Sequence, residues 1–150
     1  MSYLAIIPLS DAKNYLKIDD TLTEDDSNIT RMIKASLSQI ERITNHVLFA
    51  RSKSYLVQDC KADVYDFPIN SLTTPTTATS VEKSIYTTYT VLLTTELKVV
   101  LNVGYADVAS VPQDLVEVAY EMIDLMYYNK ENKLSMLAQM TLNNYTRFIV

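Results

Sequence analysis

Apolar residues recur every three or four positions between residues 24 and 47, and this spacing predicts one long amphipathic helix. Its apolar stripe consists of Ile29, Met32, Ile33, Leu37, Ile40, Ile43 and Val47. The same spacing returns after Pro112, whose fixed φ suits a first helical turn, and predicts a second long helix ending around Asn129 to Asn132. That stripe consists of Leu115, Val118, Ala119, Met122, Ile123 and Met126. Ahead of both helices, Ser10 is the predicted N-cap of a short helix that ends near Ile18.

Beyond Phe49 the pattern changes to β-branched and aromatic residues, which predicts strands. The clearest is a hairpin whose two apolar faces consist of Ile85, Thr87, Tyr89, Val91 and Leu93, and of Leu97, Val99, Leu101 and Val103. The threonine-rich segment LTTPTTATS contains Pro75, which blocks a helix, so we expect an irregular loop at a sheet edge.

These elements together predict an α+β fold. We expect a small helical core, made of a short N-terminal helix and two long helices. An antiparallel β-hairpin or small sheet is inserted into it, and an extended C-terminal tail follows.

Gly104 is the only glycine in the chain, and it lies between the last predicted strand and the second long helix. Glycine is needed where a β-carbon would obstruct a backbone conformation or a close approach. We therefore interpret Gly104 and Pro112 as a structural joint, in which the glycine leaves the last strand and the proline starts the final helix. The pair marks a change of direction and not a chemical site.

The chain is predicted to form one domain over residues 1–142, with its core over about residues 9–132 and a docking tail over residues 143–150. The segment before the tail is expected to extend the second long helix to about Met140, ahead of a break at the asparagine pair that begins with Asn143. The tail is apolar, although solvated chain ends are usually polar. We therefore predict that it docks on a partner through Leu142, Tyr145, Phe148, Ile149 and Val150.

Composition argues against most kinds of site chemistry. The single cysteine, Cys60, cannot form an internal disulfide, and with the single histidine, His46, it cannot supply a tetrahedral metal site. One glycine cannot build a phosphate-cradling loop or a nucleophile elbow. We therefore expect no catalytic residue, no cofactor, no metal and no enzymatic activity. A membrane-spanning run and a basic leader are also missing, so we expect a soluble, cytoplasmic chain without membrane contact.

The charge balance and the surplus of apolar residues point to protein partners. Lys and Arg number 13 and Asp and Glu 18, which gives a formal net charge of −5. Proteins that wrap duplex DNA place Lys and Arg on its phosphates, so contact with DNA is expected to be non-adhesive. Three residues of the second long helix fall partly outside its core stripe and predict an interaction surface: Leu125, Tyr127 and Tyr128.

Five segments occur in a recognisable order from about Leu9 to Asn132. They are LSDAKNYLKID, NITRMIKASLSQIERITNHVL, DFPINSL, a hairpin closing in VGYAD, and VPQDLVEVAYEMIDLMYYNKEN. The residues that carry the pattern are Ala12, Lys13, Leu16, Ala35, Glu41, Phe67, Pro68, Ile69, Gly104, Tyr105 and Pro112. The ordered set resembles the head-tail connector family of tailed bacteriophages, also called head-completion or neck adaptor proteins.

The resemblance implies a structural virion protein whose copies form a ring, dodecameric in that family, beneath the portal at the phage neck. Such a ring connects the DNA-filled head to the tail and helps to retain the packaged genome, which passes through the lumen without specific binding. The implied partners are further copies of the chain, the portal protein and another neck or tail protein. Assembly takes place in the host cytoplasm. On this interpretation Leu125, Tyr127 and Tyr128 are ring-interface residues, and the C-terminal tail docks on the portal.

The alternative is a helical dimeric regulator linked to nucleic acid, or another phage or bacterial interaction protein without enzymatic activity. A regulator needs a basic recognition helix, whereas Glu117, Glu121 and Asp124 make the second long helix acidic. The connector interpretation is therefore favoured.

Overall fold

The structure, a computed structural model, describes residues 2–82, 86–91, 98–129 and 133–146. Within them the chain divides into a helical unit, residues 2–44 and 107–146, and a β unit, residues 45–106. The chain leaves the helical unit after Thr44, forms the β unit and returns at Asp107. The predicted α+β class, with a β element inserted between helices, is confirmed.

The helical unit is built around the two predicted long helices. Its elements are α1 (Tyr3–Ile6), α2 (Leu9–Tyr15), α3 (Asp26–Thr44), α4 (Gln113–Tyr127) and α5 (Met136–Tyr145), with a 3-10 turn at Val108–Ser110. α3 and α4 pack against each other. Both predicted stripes supply the core, because the buried side chains include Ile29, Ile33, Leu37, Ile40, Leu115, Val118, Ala119 and Ile123. Period-3.6 spacing therefore identified the buried face of each helix.

α2 begins and ends earlier than predicted. Its N-cap is Pro8, with φ −60, so Ser10 lies inside the first turn and does not cap the helix. The last helical residue is Tyr15, and the predicted end near Ile18 is wrong. Lys17 takes the left-handed conformation, with φ 59, and this diverts the backbone from the helical path.

α3 and α4 also stop short of their predicted ends, and in both cases a left-handed asparagine follows. α3 ends at Thr44 because Asn45 has φ 58. Val47, the last predicted member of the stripe, is instead buried in the β unit. α4 ends at Tyr127, two residues before Asn129, which has φ 48. Asparagine tolerates this conformation better than most residues and so marks helix ends.

α5 is a separate helix and not an extension of α4, and it continues through the predicted break at Asn143. The Ser135 hydroxyl caps its start by accepting a hydrogen bond from the N–H of Ala138 at 3.1 Å. Ala138 and Leu142, one turn apart, are both buried. Burial of this side of α5 outweighs the low helix propensity of asparagine, which is why the predicted break does not occur.

Lys13 is buried in the helical unit, with 3% of its surface exposed, although lysine is usually solvated. Its ammonium donates to the backbone carbonyls of Asp20 at 3.0 Å and Leu22 at 2.6 Å and pairs with the Asp26 carboxylate at 2.9 Å. These three acceptors match the three N–H donors of an ammonium, so its burial is compensated. Lys13 thereby fastens the acidic connection between α2 and α3 to α2.

The β unit contains two three-stranded antiparallel sheets. The first has the order β1 (Arg51–Leu56), β6 (Lys98–Val103), β3 (Ile69–Thr74), and the second β2 (Lys61–Val64), β5 (Thr87–Thr90), β4 (Thr79–Glu82). The predicted hairpin between β5 and β6 is therefore wrong, because each is the central strand of its own sheet and both of its edges are paired. Ile85, Leu93 and Leu97 of that prediction lie outside the described residues.

The predicted alternation of faces holds for β6, whose Val99, Leu101 and Val103 are buried, whereas β5 buries Thr88 as well as Tyr89. One buried cluster contains Val47, Ala62, Val64, Tyr89, Val91, Val99, Leu101 and Val103. The threonine-rich segment is more regular than expected, since β3 continues to Thr74 and β4 starts at Thr79. Both are edge strands, so the predicted position of this segment at a sheet edge is confirmed.

Candidate interaction surfaces

Gly104 follows β6 at a close approach of two backbone segments of the β unit. It has φ +109, and a β-carbon there would lie 2.3 Å from the carbonyl oxygen of Phe49. Its N–H donates to the carbonyl of Pro68 at 2.8 Å, and its carbonyl accepts from the side-chain amide of Asn70 at 2.6 Å. Both the conformation and the space therefore admit glycine alone. Pro112 is the N-cap residue of α4, with φ −57.

His46 has the contacts of a packed side chain in the β unit, where it is buried. Its Nδ1 lies 2.7 Å from the Tyr105 hydroxyl, and its ring makes an edge contact with Phe67. Over the described ranges, no group of His, Cys, Asp and Glu side chains is placed to hold a metal ion. None of the described helices combines the length and the apolar character needed to cross a bilayer.

The predicted interaction residues of α4 lie at its C-terminal end in the helical unit. Leu125 and Tyr127 are half-buried, and Tyr128 is 50% exposed. The Tyr127 hydroxyl donates to the Asp25 carboxylate at 2.9 Å, and this hydrogen bond raises the pKa of Tyr127. The Tyr128 hydroxyl donates to the carbonyl of Leu16 at 2.9 Å. The two tyrosines therefore have partners within their own chain and present only part of their rings to solvent.

Leu125 also lines a concave surface between α3 and α4, with a volume of about 370 Å³. We call this surface the α3–α4 groove, and its lining residues are Arg31, Met32, Ala35, Leu125, Met126 and Asn129. The two methionines, the alanine and the leucine supply its apolar lining, and Arg31 and Asn129 supply its polar lining. Arg31 is exposed at this groove and donates to the side chain of Asn28 at 2.9 Å.

α5 presents large apolar side chains to solvent. Met136 is 80% exposed, Leu137 75% and Met140 55%, and together they form what we call the α5 apolar face. No charged residue occurs in α5, whose sequence is MLAQMTLNNY. The opposite side of the helix is anchored, because Ala138 and Leu142 are buried. An exposed apolar face on an anchored helix is typical of a protein-binding surface.

A second groove, of about 470 Å³, lies beside α5 and is acidic. Its lining includes Asp114, Glu117 and Glu121 of α4 together with Leu137 and Ser135. The Ser135 hydroxyl donates to the Glu121 carboxylate at 2.8 Å, and the backbone N–H of Ser135 donates to it as well. This contact fixes the start of α5 beside the acidic side of α4.

The predicted docking residues are spread over very different environments. Leu142 is buried and serves the packing of α5 in the helical unit, so it is not an accessible docking residue. Tyr145 is half-buried, and its hydroxyl lies 3.5 Å from the Asp114 carboxylate. Phe148, Ile149 and Val150 lie outside the described residues.

Sequence reasoning singled out Leu125 but missed the other surfaces around it. Met32 was assigned to the core stripe, yet it lines the α3–α4 groove with Arg31 and Ala35. The α5 apolar face was not identified, although a decapeptide without a charged residue on a short surface helix is a usable signal. The groove itself requires the packing of two helices that are remote in sequence.

Three solved structures with the same fold come from gene transfer agent (GTA) particles. A chain in the neck of an empty GTA particle, computed with C6 symmetry, has a TM-score of 0.76 at 14% identity, covering 99% of this chain and 92% of that one. A chain in the virion of the native particle gives 0.75 at 12% identity, covering 100% and 93%. One in the neck of the native particle, computed with C12 symmetry, gives 0.72 at 13% identity, covering 99% and 92%.

Neither a protein-family model nor a curated protein matches the chain. At 12–14% identity the likeness to solved structures is a likeness of fold. The chain therefore has the fold of chains found in the neck of GTA particles. The resemblance to neck adaptor proteins is confirmed at this level, over nearly the whole chain and not only over residues 9–132.

Proposed function

We propose that the protein is a structural, non-enzymatic component of the neck of a tailed phage or phage-like particle. Copies of the chain form a ring beneath the portal, with twelve subunits as the proposed number. The ring joins the DNA-filled head to another neck or tail protein and helps to retain the packaged genome. The observation that carries the proposal is the shared fold with neck chains over 99% of the sequence.

Two properties of the chain support this role. The α5 apolar face and the α3–α4 groove expose apolar surface that a solitary small domain does not need. The formal net charge of −5 suits a channel through which DNA must slide without adhering. Ring symmetry in the neck structures of the similar chains, C6 and C12, agrees with assembly from repeated copies.

The mass of the native protein, alone and mixed with the purified portal of the same particle, tests the proposal. Native mass spectrometry or light scattering is expected to show a closed oligomer, either spontaneously or once the portal is present. A protein that stays monomeric under both conditions would refute the ring. In particles, deletion of the gene is expected to leave heads that package DNA but lack attached tails.

We further propose that the C-terminal segment docks on the portal through Tyr145 and residues 148–150. Its composition supports this, because aromatic residues such as Tyr145 and Phe148 are enriched in protein interfaces. Leu142 is left out of the proposal because it is buried in the helical unit.

Truncation after Thr146 tests the docking proposal while keeping α5 complete. The truncated protein is expected to unfold at the same urea concentration as the full chain but to lose portal binding in a pull-down assay. Equal binding by the two proteins would refute the docking role. Replacing Ser52, an exposed residue of β1, with alanine is the matched control and should change neither property.

A further inference from the structure

We propose that the α5 apolar face of one copy docks in the α3–α4 groove of a second copy, and that this contact joins neighbouring subunits. The inference rests on the proposed ring and names the two surfaces that meet in it. The occupant of the groove is therefore a defined helix of the same chain, carrying Met136, Leu137 and Met140.

The α5 apolar face has the composition of an interface centre. Its large side chains are more than half exposed, and the helix carries no charge. Charged residues are depleted at the centres of protein interfaces, whereas methionine is enriched there. Methionine is also unbranched and flexible, so Met136 and Met140 can fit an irregular surface.

The α3–α4 groove offers a complementary concave surface. Met32, Ala35, Leu125 and Met126 line its apolar part, and Ala35 is small enough to leave room for an incoming side chain. Its volume of about 370 Å³ is large enough to receive side chains from a second copy. Arg31 and Asn129 supply polar groups among the lining residues, as in the polar rim of an interface.

Exposed side chains of opposite charge lie beside the two surfaces. Asp114 and Glu117 are exposed in the acidic groove beside α5. Arg31 and Lys34 are exposed on α3, one turn apart, and Arg31 belongs to the α3–α4 groove itself. Docking the face into the groove can bring Asp114 and Glu117 of one copy towards Arg31 and Lys34 of the next, which favours a second copy of this chain over a partner of arbitrary charge.

The contact is heterologous, because it joins two different surfaces of the same helical unit. Repeated heterologous contacts generate a closed ring when the rotation per subunit divides a full turn. Every subunit in such a ring uses its face once and its groove once, so no apolar surface of this kind is left exposed. A monomer, in contrast, exposes both.

Site-directed cross-linking tests which surfaces meet. Cys60 is exposed and is first replaced with serine. One protein then carries Leu137→Cys and a second carries Ala35→Cys, both at exposed positions, and the two are mixed under assembly conditions with a short bismaleimide. A cross-linked dimer is expected from the mixture, at a yield at least tenfold above that of the control pair. The control pair combines Leu137→Cys with Leu56→Cys, an exposed position of β1.

The outcomes separate this inference from the proposed function. Rings that form without the Leu137–Ala35 cross-link overturn the inference and leave the neck role intact. A wild-type protein that forms no oligomer with or without the portal overturns both. A cross-link in the mixture, with rings of unchanged size, supports both.

A second variant keeps the inference testable if the cysteine proteins assemble poorly. Leu137→Glu places a charge at the centre of the docked face and is expected to raise the protein concentration needed for half-assembly at least tenfold. The matched control is Val81→Glu on β4, which is exposed and lies in the β unit, and it should assemble like the wild type. Equal assembly of Leu137→Glu and the control would overturn the inference.

Discussion

The side chain of Gly104 is a hydrogen atom, and in any other residue a β-carbon would replace it and clash with the backbone at Phe49. Gly104→Ala brings a β-carbon to 2.3 Å from the Phe49 carbonyl oxygen at φ +109. We expect the free energy of unfolding, measured by urea denaturation, to fall by about 2–4 kcal/mol. Ala106→Val adds bulk at a nearby exposed position and should change it by less than about 0.5 kcal/mol. An alanine variant as stable as the wild type would contradict the close approach.

The hydrogen-bonded phenol of Tyr55 makes the stability of the β unit depend on pH. Its hydroxyl donates to one Asp66 carboxylate oxygen at 2.5 Å, and the Lys53 ammonium pairs with the other at 2.9 Å. Burial, followed by the hydrogen bond to Asp66, raises the pKa of Tyr55 well above its ordinary value of 10.0. The folded protein therefore holds this proton at a pH where the unfolded chain releases it, and stability falls as pH rises above about 10.

Tyr55→Phe is expected to lose about 1 kcal/mol of unfolding free energy at pH 8, where both states of the wild type keep the proton. Above about pH 10 the wild type loses stability through Tyr55 and the variant does not, so the difference narrows. Urea unfolding of both proteins between about pH 8 and 11 measures this. A difference that stays constant or widens would contradict the raised pKa.

The structural role of an individual residue was predictable only where a rare residue type indicated a particular backbone geometry. Gly104 stood out as the single glycine, and its position after the last strand was enough to suggest a close approach. Lys13 gave no such signal, because its burial depends on carbonyls of Asp20 and Leu22 that the chain brings to it only after a turn. The fold, and not the side chain, decides whether such a lysine is solvated.

Among the elements, α3 and α4 were predictable because an apolar stripe over several turns averages out local exceptions. α1, with four residues, is too short to show a period at all. α5 was misassigned because its boundaries depend on the Ser135 cap and on burial of Leu142, which outweigh the asparagines near its end.

The prediction of strand pairing was wrong for a different reason. A period of two tells which side chains share a face, and Tyr89 and Leu101 do lie in one core cluster. It does not tell which strand is the neighbour, because that choice depends on segments elsewhere in the chain. β5 and β6 therefore looked like a hairpin while each pairs with two other strands.

The connection between α2 and α3 is predicted to depend on Lys13. Lys13→Met removes three hydrogen-bonded contacts and leaves the Asp26 carboxylate, about one third exposed, without its partner. We expect a loss of about 2–3 kcal/mol of unfolding free energy in urea denaturation. Lys34→Met, at an exposed position of α3, should change stability by less than about 0.5 kcal/mol.

A second substitution separates the ion pair from the carbonyl contacts. Lys13→Met combined with Asp26→Asn removes the stranded charge and should recover part of the loss. If the double variant is no more stable than Lys13→Met, the carbonyl contacts and not the ion pair carry the stabilisation.

For the whole molecule, the negative net charge predicts that the protein does not bind duplex DNA. With a formal net charge of −5, the protein is expected to cause no retardation of duplex DNA in a gel-shift assay at either about 50 or 200 mM salt. Binding that weakens steeply between these concentrations would favour the regulator alternative, because release of counterions from phosphates gives that signature.

Interaction surfaces at this scale were the least predictable part of the protein. The α3–α4 groove combines Arg31 with Leu125, and only the packing of the two helices makes a concave surface from them. The resemblance in sequence predicted a role in the neck and assembly into a ring, but it did not indicate which surfaces of neighbouring subunits meet. The inferred contact depends on the exposed side of α5, which follows from the packing of the helix and not from the sequence alone.

Among the described strands β6 is the last to be synthesised, yet it is the central strand of its sheet. Its partners β1 and β3 start opposite Val103 at Arg51 and Ile69, and they do not pair with each other. Both therefore leave the ribosome well before their shared partner, with unpaired edges that other polypeptides can join. Emergence of Val103 from the ribosomal exit tunnel thus sets the nascent-chain length at which β1 and β3 can both pair with the whole of β6.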